Sequence, residues 1–547
     1  MQLDENALLV LQKRYLLRDE AGDLLETPDE LFRRVASAVS QGEDNYPDGQ
    51  REEMNEAFYQ IMANLEFLPN SPTLMNAGRP LGQLAACFVL PVEDSLDSIF
   101  DSVKLTAKIH QTGGGTGFSF SRLRPRNDVV RSTMGVASGP VSFIRVFNCA
   151  TEAIKQGGTR RGANMGILRV DHPDILEFVT IKRDPTELTN FNLSVALTDD
   201  FMRAYDGDHS FSLINPRTKQ AVKEIKAREL LRLIAESAWA SGDPGVIFID
   251  TINRANPTPH IGEIEATNPC GEQPLLPYES CCLGSINLAR LVRDGEINWD
   301  RLQELTHLGV RFLDNTVDAG NYPSDKIRAV TTGNRKIGLG VMGFAHLLIQ
   351  LGIPYDSSDA ERVGEKIISF IEKESKIVSK RLAEKRGPFP YFKGSVWDRK
   401  NLLQRNATTT TIAPTGTLSI IAGTSSGIEP IYDISYKRLL LGGIEIEVED
   451  PLWREVKDSP DAEGKLRRLF RTAYSVAPLA HLNIQRIFQT SVDNAVSKTI
   501  NLPETATADD ILRIYVEAHR MGLKGTTVFR NKSREYQILS CGIHQTC

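Results

Sequence analysis

Between about residues 70 and 520, short apolar runs rich in β-branched residues alternate with amphipathic helical stretches, with Gly and Pro between them. That alternation favours an α/β architecture over an all-helical or all-β one. Cys87-Phe-Val-Leu90, Gly245-Val-Ile-Phe-Ile249 and Thr408-Thr-Thr-Thr-Ile412 read as strands. The clearest helix runs from about Asp359 to Arg386, with Val363, Ile367, Ile371, Val378 and Leu382 on one stripe, and stops at Gly387-Pro388. A second begins near Thr507-Ala-Asp-Asp510 and ends at Gly522. The first seventy residues look helical, because Thr27-Pro28-Asp29-Glu30 combines an N-cap, a proline at the first helical position and a capping-box glutamate. The most apolar segment, residues 337–353, carries His346 and Gln350 and reads as a buried helix, not a membrane span. No fixed-period repeat or low-complexity block interrupts the pattern.

The chain of 547 residues is 41% hydrophobic and 24% charged with a formal net charge of -6, the profile of a soluble globular protein. No strongly basic face is implied, so neither nucleic acid nor a membrane is an expected partner. Met1-Gln-Leu-Asp-Glu-Asn lacks the basic and apolar regions of a signal peptide. Seven cysteines, an odd number, argue for a reducing, cytoplasmic setting. No C-x-x-C pair exists and Cys281-Cys282 is vicinal, so no metal site is expected. Cys149, on an apolar helix-like run, reads as core packing. Cys541 and Cys547 lie in a small polar terminal segment, which chain ends usually leave mobile. Spacing alone leaves that pair equally open to a shuttle of reducing equivalents and to an incidental placement.

Asn268-Pro-Cys-Gly-Glu272 puts an amide, a thiol and a carboxylate at alternate positions, which share one side of an extended segment. That set combines a sulfur nucleophile or radical carrier, a proton acceptor and a neutral holder of substrate oxygen. Alone, such a pentapeptide reads as a tight turn with a buried cysteine; here three glycine-rich loops accompany it. Ala413-Pro-Thr-Gly-Thr-Leu-Ser419 follows a strand and offers hydroxyls and backbone N–H groups to phosphates, without the Gly-Lys-Ser/Thr of a phosphoryl-transfer loop. Gln111-Thr-Gly-Gly-Gly-Thr-Gly-Phe118 permits close approach of its backbone to a ligand or another strand. Lys155-Gln-Gly-Gly-Thr-Arg-Arg-Gly-Ala-Asn164 is a cationic loop suited to nucleotides.

Taken together these residues resemble the catalytic chain of the ribonucleotide reductases, specifically the adenosylcobalamin-dependent class II enzymes. The resemblance rests on Asn70-Ser-Pro-Thr-Leu-Met-Asn-Ala-Gly78, Gln83-Leu-Ala-Ala-Cys-Phe-Val-Leu-Pro91, Gly157-Gly-Thr-Arg-Arg-Gly-Ala163, Asn268-Pro-Cys-Gly-Glu272, and Ala413-Pro-Thr-Gly-Thr417 with Gly427-Ile-Glu-Pro430, in the family's order. It implies a ten-stranded α/β barrel of two five-stranded halves over residues 71–530, with a catalytic finger loop. A small helical region (1–70) precedes the barrel, and a tail (531–547) follows it.

By the same resemblance Cys270 carries the thiyl radical, Glu272 takes the 3′-hydroxyl proton and Asn268 orients the ribose. Cys87 and Cys281 match the pair oxidised to a disulfide. Ser71, Ala86, Cys87, Gly115, Asn268, Pro414, Thr415, Gly416, Thr417 and Leu418 match the substrate site. Asp94 and Arg124 match the effector site, and Lys155, Gln156, Arg160 and Arg161 the loop that relays effector identity. Cys541 and Cys547 would take electrons from a thioredoxin- or glutaredoxin-like protein. The implied partners are ribonucleoside diphosphates, deoxynucleoside triphosphate or ATP effectors, and a second copy in a homodimer. Adenosylcobalamin is the implied cofactor, because Val528-Phe529 stands where the two-subunit reductases carry a tyrosine pair and the tail has no glycyl-radical motif. The alternatives are a non-catalytic nucleotide-binding regulator and the large subunit of a two-subunit reductase.

Overall fold

The computed structural model describes residues 3–130, 135–155, 162–439, 445–533 and 539–541. Three helices open the chain, α1 (Glu5–Arg14), α2 (Pro28–Ser40) and α3 (Arg51–Ala63). The capping box expected at α2 forms, with the Thr27 amide donating to Glu30 Oε2 at 2.7 Å and the Glu30 amide to Thr27 Oγ1 at 3.3 Å.

Ten strands share one sheet: β1 (Phe67–Pro69), β2 (Cys87–Val89), β3 (Gly115–Ser119), β4 (Asn164–Arg169), β5 (Phe191–Leu197), β6 (Gly245–Phe248), β7 (Glu279–Asn287), β8 (Ile337–Met342), β9 (Thr499–Leu502) and β10 (Gly525–Arg530). Strands β2 to β6 pair in parallel, each with the next. Strand β7 pairs in parallel with β8, and β9 with β10. Residues 408–412 bridge these two pairs, through Leu339 to Thr410 on one side and Ile412 to Val496 on the other, both parallel. The two parallel halves, five strands each, join antiparallel at β2–β7 and β6–β10. The sheet thus closes into the ten-stranded barrel that the resemblance implies, with β1 added along the second part of β7.

Period-two alternation sorts side chains between the barrel lumen and the helices outside. Cys87, Ile167, Ile247, Leu275 and Cys281 form an inner apolar cluster. Cys282, Ile286, Ile337 and Leu339 belong to the larger core shared with the helices. The helix expected near 359–386 spans Ser358–Arg386, and the one near 507–522 spans Ala508–Arg520.

Two expectations are corrected. Residues 337–353 are not one helix but β8 followed by a short helix, Phe344–Gln350. A Cβ on Gly340 would lie 2.2 Å from the Thr411 carbonyl oxygen, so its absence lets residues 408–412 pair against β8, and Gly343 at φ +79° turns the chain into the helix. Cys149 is exposed, not packed in the core. Helix Pro140–Lys155 buries Val141, Ile144, Phe147 and Thr151, and a residue two positions after Phe147 points away from that face. In the terminal segment, Leu539–Cys541 pairs antiparallel with Ser435–Leu439, an edge strand that would otherwise offer unpaired backbone groups.

A buried ion network ties the helical region to the barrel's helices. Glu43 is fully buried and accepts from Arg311 at 2.7 Å, Arg386 at 2.6 Å and Asn315 Nδ2 at 2.7 Å. Burial pushes its carboxyl up, but the hydrogen bonds from Arg311 and Asn315 and the Arg386 charge outweigh this and hold it at about 2. The unfolded chain binds this proton near the ordinary 4.5, so the carboxylate's contribution is complete above that pH and is lost as pH falls towards about 2. Glu43→Gln should cost about 3 kcal/mol at pH 7, because Arg311 and Arg386 both lose a buried carboxylate. Urea unfolding at pH 7 and pH 3 checks this: the variant should lose less stability on acidification than the parent, and equal losses would refute the assignment.

Candidate active site

Ala266–Thr267 and Pro274–Leu275 pair as a two-stranded ribbon, and residues 268–273 form its tip. The tip is a tight turn: the Gly271 amide donates to the Asn268 carbonyl at 3.1 Å, with Gly271 at φ +83°. The ribbon lies directly on β3. A Cβ on Gly117 would sit 1.7 Å from the Thr267 carbonyl oxygen, and one on Gly115 would sit 2.9 Å from Pro269 Cγ. Glycine at both positions is what allows the backbone of the finger to touch the barrel wall.

Three donors fasten the tip. Asn192 Nδ2 donates to the Pro269 carbonyl at 2.9 Å. The Thr411 hydroxyl and the Ala495 amide both donate to the Glu272 carbonyl, each at 2.9 Å. Behind them the buried Lys524 ammonium donates to the Asp493 carbonyl at 2.6 Å and to the Asn494 carbonyl, steadying the segment that carries Ala495. Burial pulls Lys524 down to about 8.

The fastened tip directs Asn268 and Glu272 to one sulfur. Asn268 Nδ2 donates to Cys87 Sγ at 3.1 Å, and Cys87 Sγ lies 3.9 Å from Glu272 Oε1. Both polar side chains are buried, and Asn268 Oδ1 is held by the Gln273 amide at 3.0 Å. Cys281 is the register partner of Cys87 across β2 and β7. Directly opposed residues in antiparallel strands have Cα atoms about 4.5–5.5 Å apart, inside the range a disulfide needs. Cys281 faces the same inner cluster as Cys87, whereas Cys282 packs with the outer core, so strand alternation decides which of the vicinal pair faces Cys87. Burial above all, and then the neighbouring Cys282 and Glu279, push the Cys281 thiol well up, so it stands protonated at neutral pH.

The turn parts Cys270 from its two neighbours. It is exposed and lines a cavity of about 550 Å³ together with Pro414, Gly416, His346, Val528 and Phe529. The Thr415 hydroxyl accepts from the Gly427 amide at 2.7 Å, which joins the two motifs Ala413-Pro-Thr-Gly-Thr417 and Gly427-Ile-Glu-Pro430. Ala86 donates its amide to the Cys281 carbonyl at 3.1 Å and accepts from the Gly115 amide at 2.8 Å. Ser71 begins helix Ser71–Asn76 and its hydroxyl meets Tyr15 Oη at 2.8 Å.

Asp94 and Arg124 form a half-buried ion pair at 2.8 Å, next to the start of helix Leu96–Gln111. Lys155 ends helix Pro140–Lys155, while Gln156, Arg160 and Arg161 lie outside the described residues. Cys541 closes the edge strand opposite Tyr436, and Cys547 lies outside the described residues. Gly117 lies in the Gln111–Phe118 glycine run that the sequence marks for close approach; sequence reading missed Asn192, Thr411 and Ala495, which nothing local marks and which act from distant segments.

Gly117→Ala tests the contact between finger and wall. The added methyl forces the ribbon off β3 at a cost of about 2–3 kcal/mol. Urea unfolding should register that loss, and Cys87 should react faster with a thiol reagent once Asn268 and Glu272 no longer cover it. Unchanged stability together with unchanged Cys87 reactivity would contradict the packing.

Comparison with known proteins agrees with this geometry. The family model "Ribonucleotide reductase, barrel domain" matches residues 85–404 and 404–529, and "Ribonucleotide reductase, all-alpha domain" matches residues 1–82. A "Vitamin B12-dependent ribonucleoside-diphosphate reductase" from Thermoplasma acidophilum is 47% identical, over 100% of this chain and 81% of the relative. One of the same name from Mycobacterium tuberculosis is 49% identical, over 99% of this chain and 81% of its own length. A "Ribonucleoside-diphosphate reductase subunit alpha" from Treponema pallidum is 27% identical over 98% of this chain. With both domain models matched along one closed barrel and its finger, the chain belongs to the ribonucleotide reductase family.

Proposed function

We propose that the chain reduces ribonucleoside diphosphates to 2′-deoxyribonucleoside diphosphates by thiyl-radical chemistry, as an adenosylcobalamin-dependent enzyme. The observation that carries the reading is the division of the cysteines: Cys87 and Cys281 oppose each other in register behind the finger, while Cys270 stands at its tip in the cavity wall. A one-electron initiator must stay apart from a two-electron dithiol, and the distance of Cys270 from the Cys87–Cys281 pair along the finger supports that division. Cys270 takes the 3′ hydrogen and later returns it. Glu272 accepts the 3′-hydroxyl proton, and Asn268 holds the ribose against both. The Cys87 and Cys281 thiols supply two electrons and two protons; the 2′-hydroxyl leaves as water and a Cys87–Cys281 disulfide forms. Ser71, Ala86, Gly115 and the Pro414–Thr417 loop with Leu418 line the nucleotide's place.

The cavity is of the size of small-molecule cofactor sites, and Val528 and Phe529 line it together with the exposed Cys270. His346 lines it with both ring nitrogens engaged, Nε2 with Asp450 Oδ2 at 2.8 Å and Nδ1 with the Ser425 amide at 3.2 Å. Adenosylcobalamin bound there would be held by the Ser425 loop and the β10 side chains. When bound, adenosylcobalamin supplies homolysis of its cobalt–carbon bond as the radical source. Neither Val528 nor Phe529 is reversibly oxidisable, which supports this reading over the two-subunit one; the presence of Asn268, Cys270 and Glu272 with both redox cysteines supports it over a non-catalytic regulator.

Asp94 and Arg124, with Lys155, Gln156, Arg160 and Arg161, would read deoxynucleoside triphosphate or ATP effectors. The exposed Leu96 and Phe100, at 65% and 52% exposure on one helix, support a homodimer. Cys541 and Cys547 would pass electrons from a thioredoxin-like protein, with the 539–541 strand releasing its edge to do so.

Cys270→Ser should abolish reduction while leaving nucleotide affinity nearly unchanged, because an O–H bond is too strong for a reversible hydrogen-atom carrier. Appreciable turnover by that variant would sink the radical assignment. Single turnover without reductant should leave a Cys87–Cys281 disulfide with Cys282 free by peptide mass mapping; a disulfide through Cys282 would contradict the strand alternation. Activity should need added adenosylcobalamin and no second subunit, and activity restored by a metal-containing partner protein alone would favour the two-subunit reading.

A further inference from the structure

The phosphate loop carries no cation of its own. From Ala413 to Pro430 the chain has no Lys, Arg or His. A nucleoside diphosphate is strongly anionic, and neutral hydroxyls and amides gain from a cation beside them when the site is partly buried.

The structure brings one there from the far end of the sequence. Arg14 is the last residue of α1, and Tyr15 is its C-cap. Helix α1 packs against the short helix Leu418–Ala422 that follows the loop. Arg14 Nη1 donates to Thr417 Oγ1 at 3.0 Å. The neighbouring Tyr15 meets Ser71 through its hydroxyl at 2.8 Å, so two consecutive residues touch both segments assigned to the substrate. Their turn is braced: the Tyr15 amide donates to the Leu11 carbonyl at 2.9 Å, and Arg79 Nη2 donates to the Tyr15 carbonyl at 2.8 Å. The loop is likewise set, with the Ser419 amide on the Thr415 carbonyl at 2.8 Å and the Gly427 amide on Thr415 Oγ1. A guanidinium fork that already reaches the Thr417 hydroxyl is placed for bidentate contact with a phosphate in the same cradle.

We propose that Arg14, supplied by the N-terminal helical region, binds the phosphate end of the substrate and is the cation that the 414–418 loop lacks. The assignment rests on the reductase reading above and adds to it a residue that selects for the diphosphate. It makes the helical region part of the substrate site and not merely a brace for the barrel. Tyr15, through Ser71, is a positioning residue in the same arrangement.

The test titrates the full chain with a ribonucleoside diphosphate and with the matching ribonucleoside, for the parent, Arg14→Gln and Arg14→Lys. Arg14→Gln should weaken diphosphate binding about 10- to 100-fold and raise KM in proportion, with most of the loss in KM and not in kcat. Affinity for the nucleoside, which has no phosphate, should change less than about 3-fold, and Arg14→Lys should recover part of the diphosphate affinity by restoring the charge without the fork. Raising the salt concentration should narrow the gap between parent and Arg14→Gln. Equal losses for nucleoside and diphosphate, or no loss for either, would overturn the assignment while leaving the reductase reading intact. Should Arg14→Gln not fold, Arg14→Lys decides: full parental discrimination between diphosphate and nucleoside, with unchanged KM, would reject a bidentate role. A parent chain that binds no diphosphate at all would overturn the reductase reading itself.

Discussion

The contact on which the active site depends is the one between the Thr267 carbonyl and Gly117. A ribbon of backbone lies against the barrel wall at a separation that no side chain permits. Everything at the finger tip inherits its position from that contact. Because the ribbon has only two short paired strands, it has little stability of its own. Its place is set by the wall beneath it and by donors from three other segments, Asn192, Thr411 and Ala495. Lys524 then holds the carbonyls next to Ala495 from behind, which makes a buried ammonium part of the site's support.

The barrel's antiparallel seam between β2 and β7 does a different job. Within each half the strands run parallel, and their partners are offset by slanted hydrogen bonds. Only at a seam do two residues face each other squarely, and Cys87 faces Cys281 there. Directly opposed residues at such a seam have Cα atoms within the range that a disulfide spans. The burial that keeps Cys281 protonated also keeps it from reacting except with what the finger side of the barrel admits.

The helical region is bound to the barrel at both faces of its sequence. Glu43 is fixed by Arg311 and Arg386 from two long helices, and Arg34 reaches the Ala77 carbonyl while paired with Glu26. At the end of α1, Arg79 Nη2 holds the Tyr15 carbonyl while Arg14 meets Thr417 and Tyr15 meets Ser71.

Much of this was legible in the sequence. The capping box at Thr27, the helix ending at Gly387 and the strand runs at Cys87 and Gly245 are local signals, set by hydrogen bonds and burial within a few residues, and they stand where they were expected. The motif Asn268-Pro-Cys-Gly-Glu272 offers an amide, a thiol and a carboxylate from one short segment wherever it folds. Local pattern failed at residues 337–353 and at Cys149, where a long-range strand partner and the side of a helix decided the outcome. Tertiary structure alone turned Cys281 and not Cys282 to the cluster of Cys87, sent Cys270 into the cavity while Glu272 turned to Cys87, and brought Arg14 to Thr417. The reason is that composition and spacing specify what a segment can do and which faces it has, whereas register, barrel closure and packing between distant segments specify what it meets.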